Sequence, residues 1–409
     1  MVHQTMNSKM SKAPRASSNN RIMVRARAWR HARWAMLAIV GTLVACATRS
    51  VPEPPQTSVP PAAPVPGVVT APDDGPLPGT ITRAKSQWVP VRWSELPGWG
   101  ADTLHEAWNA WLRSCERPAP TVGALCAEVR RLSIATAEEQ RSFIERRLQP
   151  YRISATDGNA GGLLTGYYEP TLKASRTPTA EYAWPLHKLP ASVRAGQPWF
   201  SRQDMDTLPQ AQAALRGQEI AWLADPIDMM LLHIQGSGRL LIQQNGQTTQ
   251  TVRVAFAGTN NQPYRSINTW LQQQGAPITP WPEATKAWVR ANPQRVNELL
   301  WSNPRYVFFR EEALSDLDAQ FGPRGAQGVA LTPGRSIAVD PGSVPYGTPV
   351  WLSTQGPAGR FNKLVLAQDT GSAIVGAVRA DYFTGWGDDA LALAAGLKQP
   401  LQLWALWPR

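Results

Sequence analysis

From Gly162 onward the chain is cut into short apolar runs bounded by Gly, Pro or Asn, and this punctuation limits the folds open to it. Leu163-Leu-Thr-Gly-Tyr-Tyr168, Met229-Met-Leu-Leu-His-Ile-Gln235, Arg239-Leu-Leu-Ile-Gln243 and Thr251-Val-Arg-Val-Ala-Phe-Ala257 all read as strands. Asn245-Gly246, between two of them, is a strong hairpin signal, because both residues accept positive φ. Strands resume at Tyr306-Val-Phe-Phe309 and continue to Leu403-Trp-Ala-Leu406, where Trp404 and Trp407 are expected to seal a barrel. Helical spacing appears at 104–114, at 136–148 behind the capping box Thr136/Glu139, at 266–274 and at 283–302, interrupted by Asn292-Pro293. No βαβ rhythm connects the strands, so a mainly β fold of barrels is expected rather than a doubly wound sheet.

Three carboxylates punctuate the last seventy residues, each after a strand-like run: Asp340, Asp369 and Asp381. Asp369 ends the apolar run Val365-Leu-Ala-Gln-Asp369 and opens the turn Thr370-Gly371-Ser372; a second strand is expected over 373–378. A carboxylate emerging from a buried strand is partly desolvated, which raises its pKa and suits it to general-acid work. The bland alternative is an Asx turn cap. Asp340, in Asp-Pro-Gly, has turn chemistry and is expected to bind backbone N–H groups. Asp381, if close, would raise the pKa of Asp369 by like-charge repulsion. Gly236-Ser-Gly238 is not a dinucleotide fingerprint, since a strand rather than a helix follows it, and no phosphate loop or nucleophile elbow is present.

The first 45 residues hold eight Lys or Arg and no acid, followed by a short apolar run ending at Cys46. This is the form of a signal peptide with a lipobox, Leu43-Val-Ala-Cys46, whose Cys would carry the lipid. Translation is expected to start at Met23, which gives that signal ordinary proportions. Ala47 carries no acidic retention signal, so the periplasmic face of the outer membrane is the expected location. Removing the signal takes the 41 basic residues to 33 against 30 acidic, about +3, and excludes a nucleic-acid binder read from the raw charge of +11. Ten prolines between 49 and 80 form a semi-rigid spacer, so the chain divides into a signal (1–45), a lipidated linker (46–80) and a body of about 330 residues. Cys115 and Cys126 are expected to form a disulfide in an exported chain, and His105, His187 and His233 are too scattered in sequence to suggest a metal site.

The blocks Gly166-Tyr-Tyr-Glu-Pro170, Asp225-Pro-Ile-Asp228, His233-Ile-Gln-Gly-Ser-Gly238, Tyr264-Arg-Ser-Ile267, Asn303-Pro-Arg-Tyr-Val-Phe-Phe309, Leu331-Thr-Pro-Gly-Arg-Ser-Ile-Ala-Val-Asp340 and Gln368-Asp-Thr-Gly371 occur in one order. Together they resemble the membrane-bound lytic murein transglycosylase A family, from about Trp99 to the C-terminus. The resemblance implies a double-psi β-barrel catalytic domain, at 81–167 and 303–409, with a second β-barrel inserted at 168–302 and a glycan groove between them. It maps the catalytic acid to Asp369. It also implies peptidoglycan as substrate, no cofactor, and cleavage of the MurNAc-GlcNAc β-1,4 bond with a 1,6-anhydromuramoyl product. Asp340, Asp381, Tyr167, Tyr168, Gln235, Gly236, Ser237, Gly238, Gly371, Ser372 and Ala373 are the expected binding or supporting residues. Ser372 stands where the family commonly has Gly. Two other readings fit an exported β-protein on a spacer: a lipid-anchored peptidoglycan binder without activity, and a glycan hydrolase using two carboxylates.

Overall fold

The computed structural model describes residues 74–409; the signal-like segment, Cys46 and most of the proline-rich stretch lie outside the described residues. Two barrel-like sheets organise the body. The first contains β1 (Ile81–Thr82), β2 (Gln87–Pro90), β3 (Leu148–Ser154) and β4 (Gly162–Glu169). The second takes the next six strands: β5 (Thr171–Ser175), β6 (Trp184–His187), β7 (Glu219–Leu223), β8 (Ser237–Gln244), β9 (Gln247–Thr259) and β10 (Val307–Ala313). The chain then returns to the first sheet with β11 (Ser336–Val339), β12 (Pro349–Gly356), β13 (Gly359–Asp369), β14 (Arg379–Trp386) and β15 (Lys398–Pro408).

Within the nine-stranded sheet, β15 pairs with β12 on one edge and with β4 on the other, so β15-β12-β13-β11-β14-β4 closes into a ring. The pairs β11–β13 and β14–β4 are parallel and the other ring pairs antiparallel, in accord with a double-psi barrel. Its interior is filled by β-branched and Leu side chains such as Val339, Val350, Val365 and Leu403. The helix Leu104–Ser114 packs on β13 and buries Trp108 and Trp111 in one apolar cluster with Leu364, Leu366, Trp351 and Trp404. Helix Ala137–Arg147 starts with the Thr136/Glu139 capping box formed. Cys115 and Cys126 are joined as a disulfide below the first helix.

The six-stranded sheet runs β10-β9-β8-β5-β7-β6, and a bridge from Lys188 to Phe309 brings its two edges together. Asn245 and Gly246 turn the β8–β9 hairpin with both φ angles positive. Three expectations fail here. Residues 229–235 are not a strand but the end of a helix, Pro226–Gln235, whose N-cap Asp225 accepts from the Ile227 N–H and whose Pro226 sits at the first turn. Residues 373–378 are not a strand either: they form a bent loop, and β14 begins only at Arg379. The second sheet also runs past 302, because β10 pairs along β9.

The two sheets meet at Glu169-Pro170, where β4 passes directly into β5. Glu169 is fully buried and binds both Arg239 of β8 (2.8 Å) and Arg253 of β9. Both guanidiniums also donate to the carbonyl of Phe321, at the start of the segment that leads back to the first barrel. This buried Arg–Glu–Arg group is the electrostatic clasp between the sheets, and its charges are tolerated in the interior only because each is hydrogen-bonded.

Candidate active site

Asp369 is the last residue of β13, and its neighbours in sequence hold it still. Gln368, fully buried, donates to Ala110 O and Ser114 Oγ of the first helix and accepts from Ser336 Oγ. On the other side, Thr370 Oγ1 donates to Val339 O. The carboxylate itself takes three hydrogen bonds: the N–H groups of Thr370 and Ala326 donate to Oδ1 at 2.9 Å each, and Tyr167 Oη donates to Oδ2 at 2.8 Å. Burial pushes its pKa up, the three donors pull it down, and the net result is above the ordinary carboxylate value. The Ala326 contact depends on Gly325: a Cβ there would lie 2.5 Å from Gln368 O and 3.2 Å from Asp369 Cβ. Burial, with the charge of Asp369 next, pushes the Tyr167 hydroxyl far above its usual range, so it stays a neutral donor.

Asp369 opens onto a cavity of about 660 Å³ between the two sheets. Tyr167, the Thr370–Ser372 turn and Gly325–Ala326 form the barrel-side wall; His233 to Ser237, Phe256 and Arg305 form the other. Among the described residues Asp369 is the one acidic side chain lining it. Ile234 and Phe256 leave 39% and 49% of their surface exposed beside it, apolar faces on which a sugar ring can lie. His233 is buried; its Nδ1 lies 2.9 Å from Arg202 Nη2, and its Nε2 has no hydrogen-bond partner. Desolvation, with the Arg202 charge next, drives its pKa well below the ordinary value, so the ring is neutral with the proton on Nε2.

Asp340 lies outside the cavity. Burial alone would raise its pKa, but Lys85 (2.9 Å) and the N–H groups of Gly376 and Gly342 outweigh it and hold the carboxylate below its usual range. Because Gly376 belongs to the loop after Asp369, Asp340 anchors the far end of that loop. Asp381 also lies outside, accepting from Thr165 Oγ1. Its pKa is pushed up to about 6, by burial first, with Asp369 adding against Thr165 and Arg379. The like-charge repulsion between the two carboxylates contributes to the upward shift of Asp381.

Residues 163–310 match the MltA specific insert domain and residues 335–407 match the 3D domain. The lytic transglycosylase LtgG of Burkholderia pseudomallei is 43% identical, with a TM-score of 0.54 over 82% of this chain and 98% of that one. The chain belongs to the membrane-bound lytic murein transglycosylase A family. MltA from Neisseria gonorrhoeae is 28% identical with a TM-score of 0.67, over 82% of this chain and 96% of that one. The membrane-bound lytic murein transglycosylase A of Vibrio cholerae is 29% identical over 271 residues, 63% of this chain and 69% of that one. As a member of that family the protein is an enzyme, a lytic murein transglycosylase.

The other sequence-predicted residues divide between the cavity and its supports. Gln235, Gly236, Ser237, Gly371 and Ser372 line the cavity with Tyr167. Tyr168 points the other way, packed with Leu231, Ala390 and Ala394, while its N–H is accepted by Gln235 Oε1. Gly238 serves packing instead of a glycan: a Cβ there would lie 2.2 Å from Leu232 Cδ2. Ala373 sits on the exposed loop beyond the lining. Ala326, Phe256 and Arg305 also line the cavity without having been expected there: Arg305 lies in the Asn303–Phe309 block and Phe256 in the strand-like run 251–257, but only tertiary placement brings them to Asp369.

Proposed function

We propose that the cavity binds a peptidoglycan strand and that Asp369 alone, as acid and then base, cleaves the MurNAc-GlcNAc β-1,4 bond. The observation that carries this reading is that Asp369 is the single carboxylate lining the cavity among the described residues. A hydrolase of the two-carboxylate kind needs a second acidic group at the scissile bond. A transglycosylase does not, because the C6 hydroxyl of the muramic acid is the nucleophile and replaces water. Asp369 gives its proton to the glycosidic oxygen as the bond breaks. The resulting carboxylate takes the proton of O6 as that oxygen closes on C1, forming the 1,6-anhydro ring.

The hydrogen bonds around Asp369 suggest which oxygen works. Oδ1 is occupied by two backbone N–H groups, which can only donate. Oδ2 faces the Tyr167 hydroxyl, which can reverse its role and accept. The transferred proton therefore resides on Oδ2. In the same reading the first barrel is the catalytic domain, the second sheet supplies the far wall of a glycan groove, and lipid on Cys46 holds the body at the periplasmic face of the outer membrane. Incubating insoluble peptidoglycan with the purified protein tests this function: soluble muramic-acid fragments support it, and an unchanged pellet overturns it.

A further inference from the structure

A sugar backbone is neutral, yet four arginines line the cavity: Arg117, Arg305, Arg310 and Arg324. Arg310 is paired with Glu312 at 2.8 Å. The other three have no carboxylate partner among the described residues. Arg324 Nη1 donates to Gly328 O at 3.2 Å, and Arg305 Nη1 reaches Gln262 O at 3.4 Å, so each retains most of its five donors. Arg117 and Arg324 lie on the barrel side and Arg305 on the opposite wall. Partial burial lowers the pKa of Arg305 with no acid to offset it.

Three guanidiniums without a counter-charge are poorly matched to a neutral sugar backbone and call for an anion in the complex. We propose that Arg117, Arg305 and Arg324 form a carboxylate-binding rim that reads anionic substituents on the glycan. The planar guanidinium matches a carboxylate in bidentate fashion, which an ammonium cannot do. Two sources carry that chemistry on muramic acid: the free lactyl carboxylate of a peptide-free strand, and the carboxylates of an attached stem peptide. This inference rests on the glycan reading of the cavity.

The test is binding in an Asp369→Asn background, which prevents turnover, with Arg305→Gln or Arg324→Gln added and melting temperature recorded as a folding control. Three probes are compared: a neutral β-1,4 N-acetylglucosamine hexamer, a peptide-free strand with lactyl carboxylates, and a peptide-bearing strand. Each arginine change is expected to weaken a carboxylated probe roughly tenfold and to leave the neutral hexamer unchanged. The carboxylated affinities should also fall with added salt. Loss on the peptide-free strand assigns the rim to the lactyl group; loss confined to the peptide-bearing strand assigns it to the stem. Equal loss on the neutral hexamer, or no loss on either carboxylated strand, overturns the rim while leaving the glycan reading intact. Failure of all three probes to bind the Asp369→Asn protein itself overturns both.

Discussion

The Tyr167 hydroxyl donates a 2.8 Å hydrogen bond to Oδ2 of Asp369, joining the middle of β4 to the end of β13 across the barrel. The tyrosine ring packs against Phe383, its centroid 5.3 Å away, which fixes the direction of the hydroxyl. The bond stabilises the ionised carboxylate, and burial stabilises the protonated one. Asp369 thus sits between two opposing influences, which suits its proposed role as acid and then base.

Replacing Asp369→Asn keeps the shape and the acceptor for Thr370 and Ala326 but removes the transferable proton. Cleavage should fall on the order of 10²–10⁴-fold, while the circular dichroism spectrum and retention on insoluble peptidoglycan stay as in the wild type. Turnover close to wild type would remove Asp369 from the mechanism.

Tyr167→Phe removes the donor to Oδ2 and nothing of the ring. The lost bond had lowered the Asp369 pKa, so the alkaline limb of the pH–rate profile should move to higher pH. The maximal rate should drop by about tenfold, as the ionised base loses its support. An unshifted alkaline limb would contradict the role given to this contact.

Helical and hairpin starts were legible where local chemistry matched the final structure, as in the Thr136/Glu139 capping box and the Asn245-Gly246 turn. The helix Pro226–Gln235 was misread because Met229 to Ile234 includes apolar residues on every face, a pattern that periodicity cannot separate from a buried strand. Asp225-Pro226 carried the correct signal, an acidic cap followed by proline in the first turn. Residues 373–378 looked like a strand for the same reason, but Asp340 holds Gly376 N–H and bends the segment. The cavity as a whole was not legible: Ala326, Arg305 and Phe256 come from segments far apart in sequence, and only the folded chain brings them to Asp369.

Asp381 predicts a pH effect on stability. Its folded pKa of about 6 lies above the ordinary carboxylate value of 3.8, so the native state binds more protons between those limits. Its contribution to stability therefore falls as pH rises through that window and stays low above it. Asp381→Asn should flatten this part of the curve, stabilising the protein at pH 7 relative to pH 4 by at most about 3 kcal/mol. The gain is reduced because Arg379 loses a neighbouring charge. Parallel curves from denaturant titrations of the two proteins across this range would refute the assignment.

Glu169→Gln should leave Arg239 and Arg253 buried with no counter-charge. A loss of about 3–5 kcal/mol is expected, visible as a lower denaturation midpoint. Because both arginines also hold Phe321 O, five residues before Ala326, activity should fall even under conditions where the variant remains folded. An unchanged midpoint would show that the clasp is not what holds the two sheets.

One carboxylate suffices only if the substrate supplies the nucleophile, and mass spectrometry of the glycan fragments released by the wild-type protein distinguishes that route from hydrolysis. Intramolecular attack by O6 predicts muramic-acid ends lighter by one water than a reducing sugar, unreactive to borohydride and free of ¹⁸O when the digestion is run in labelled water. Reducing ends that carry ¹⁸O would contradict it, and would require a second group to activate water.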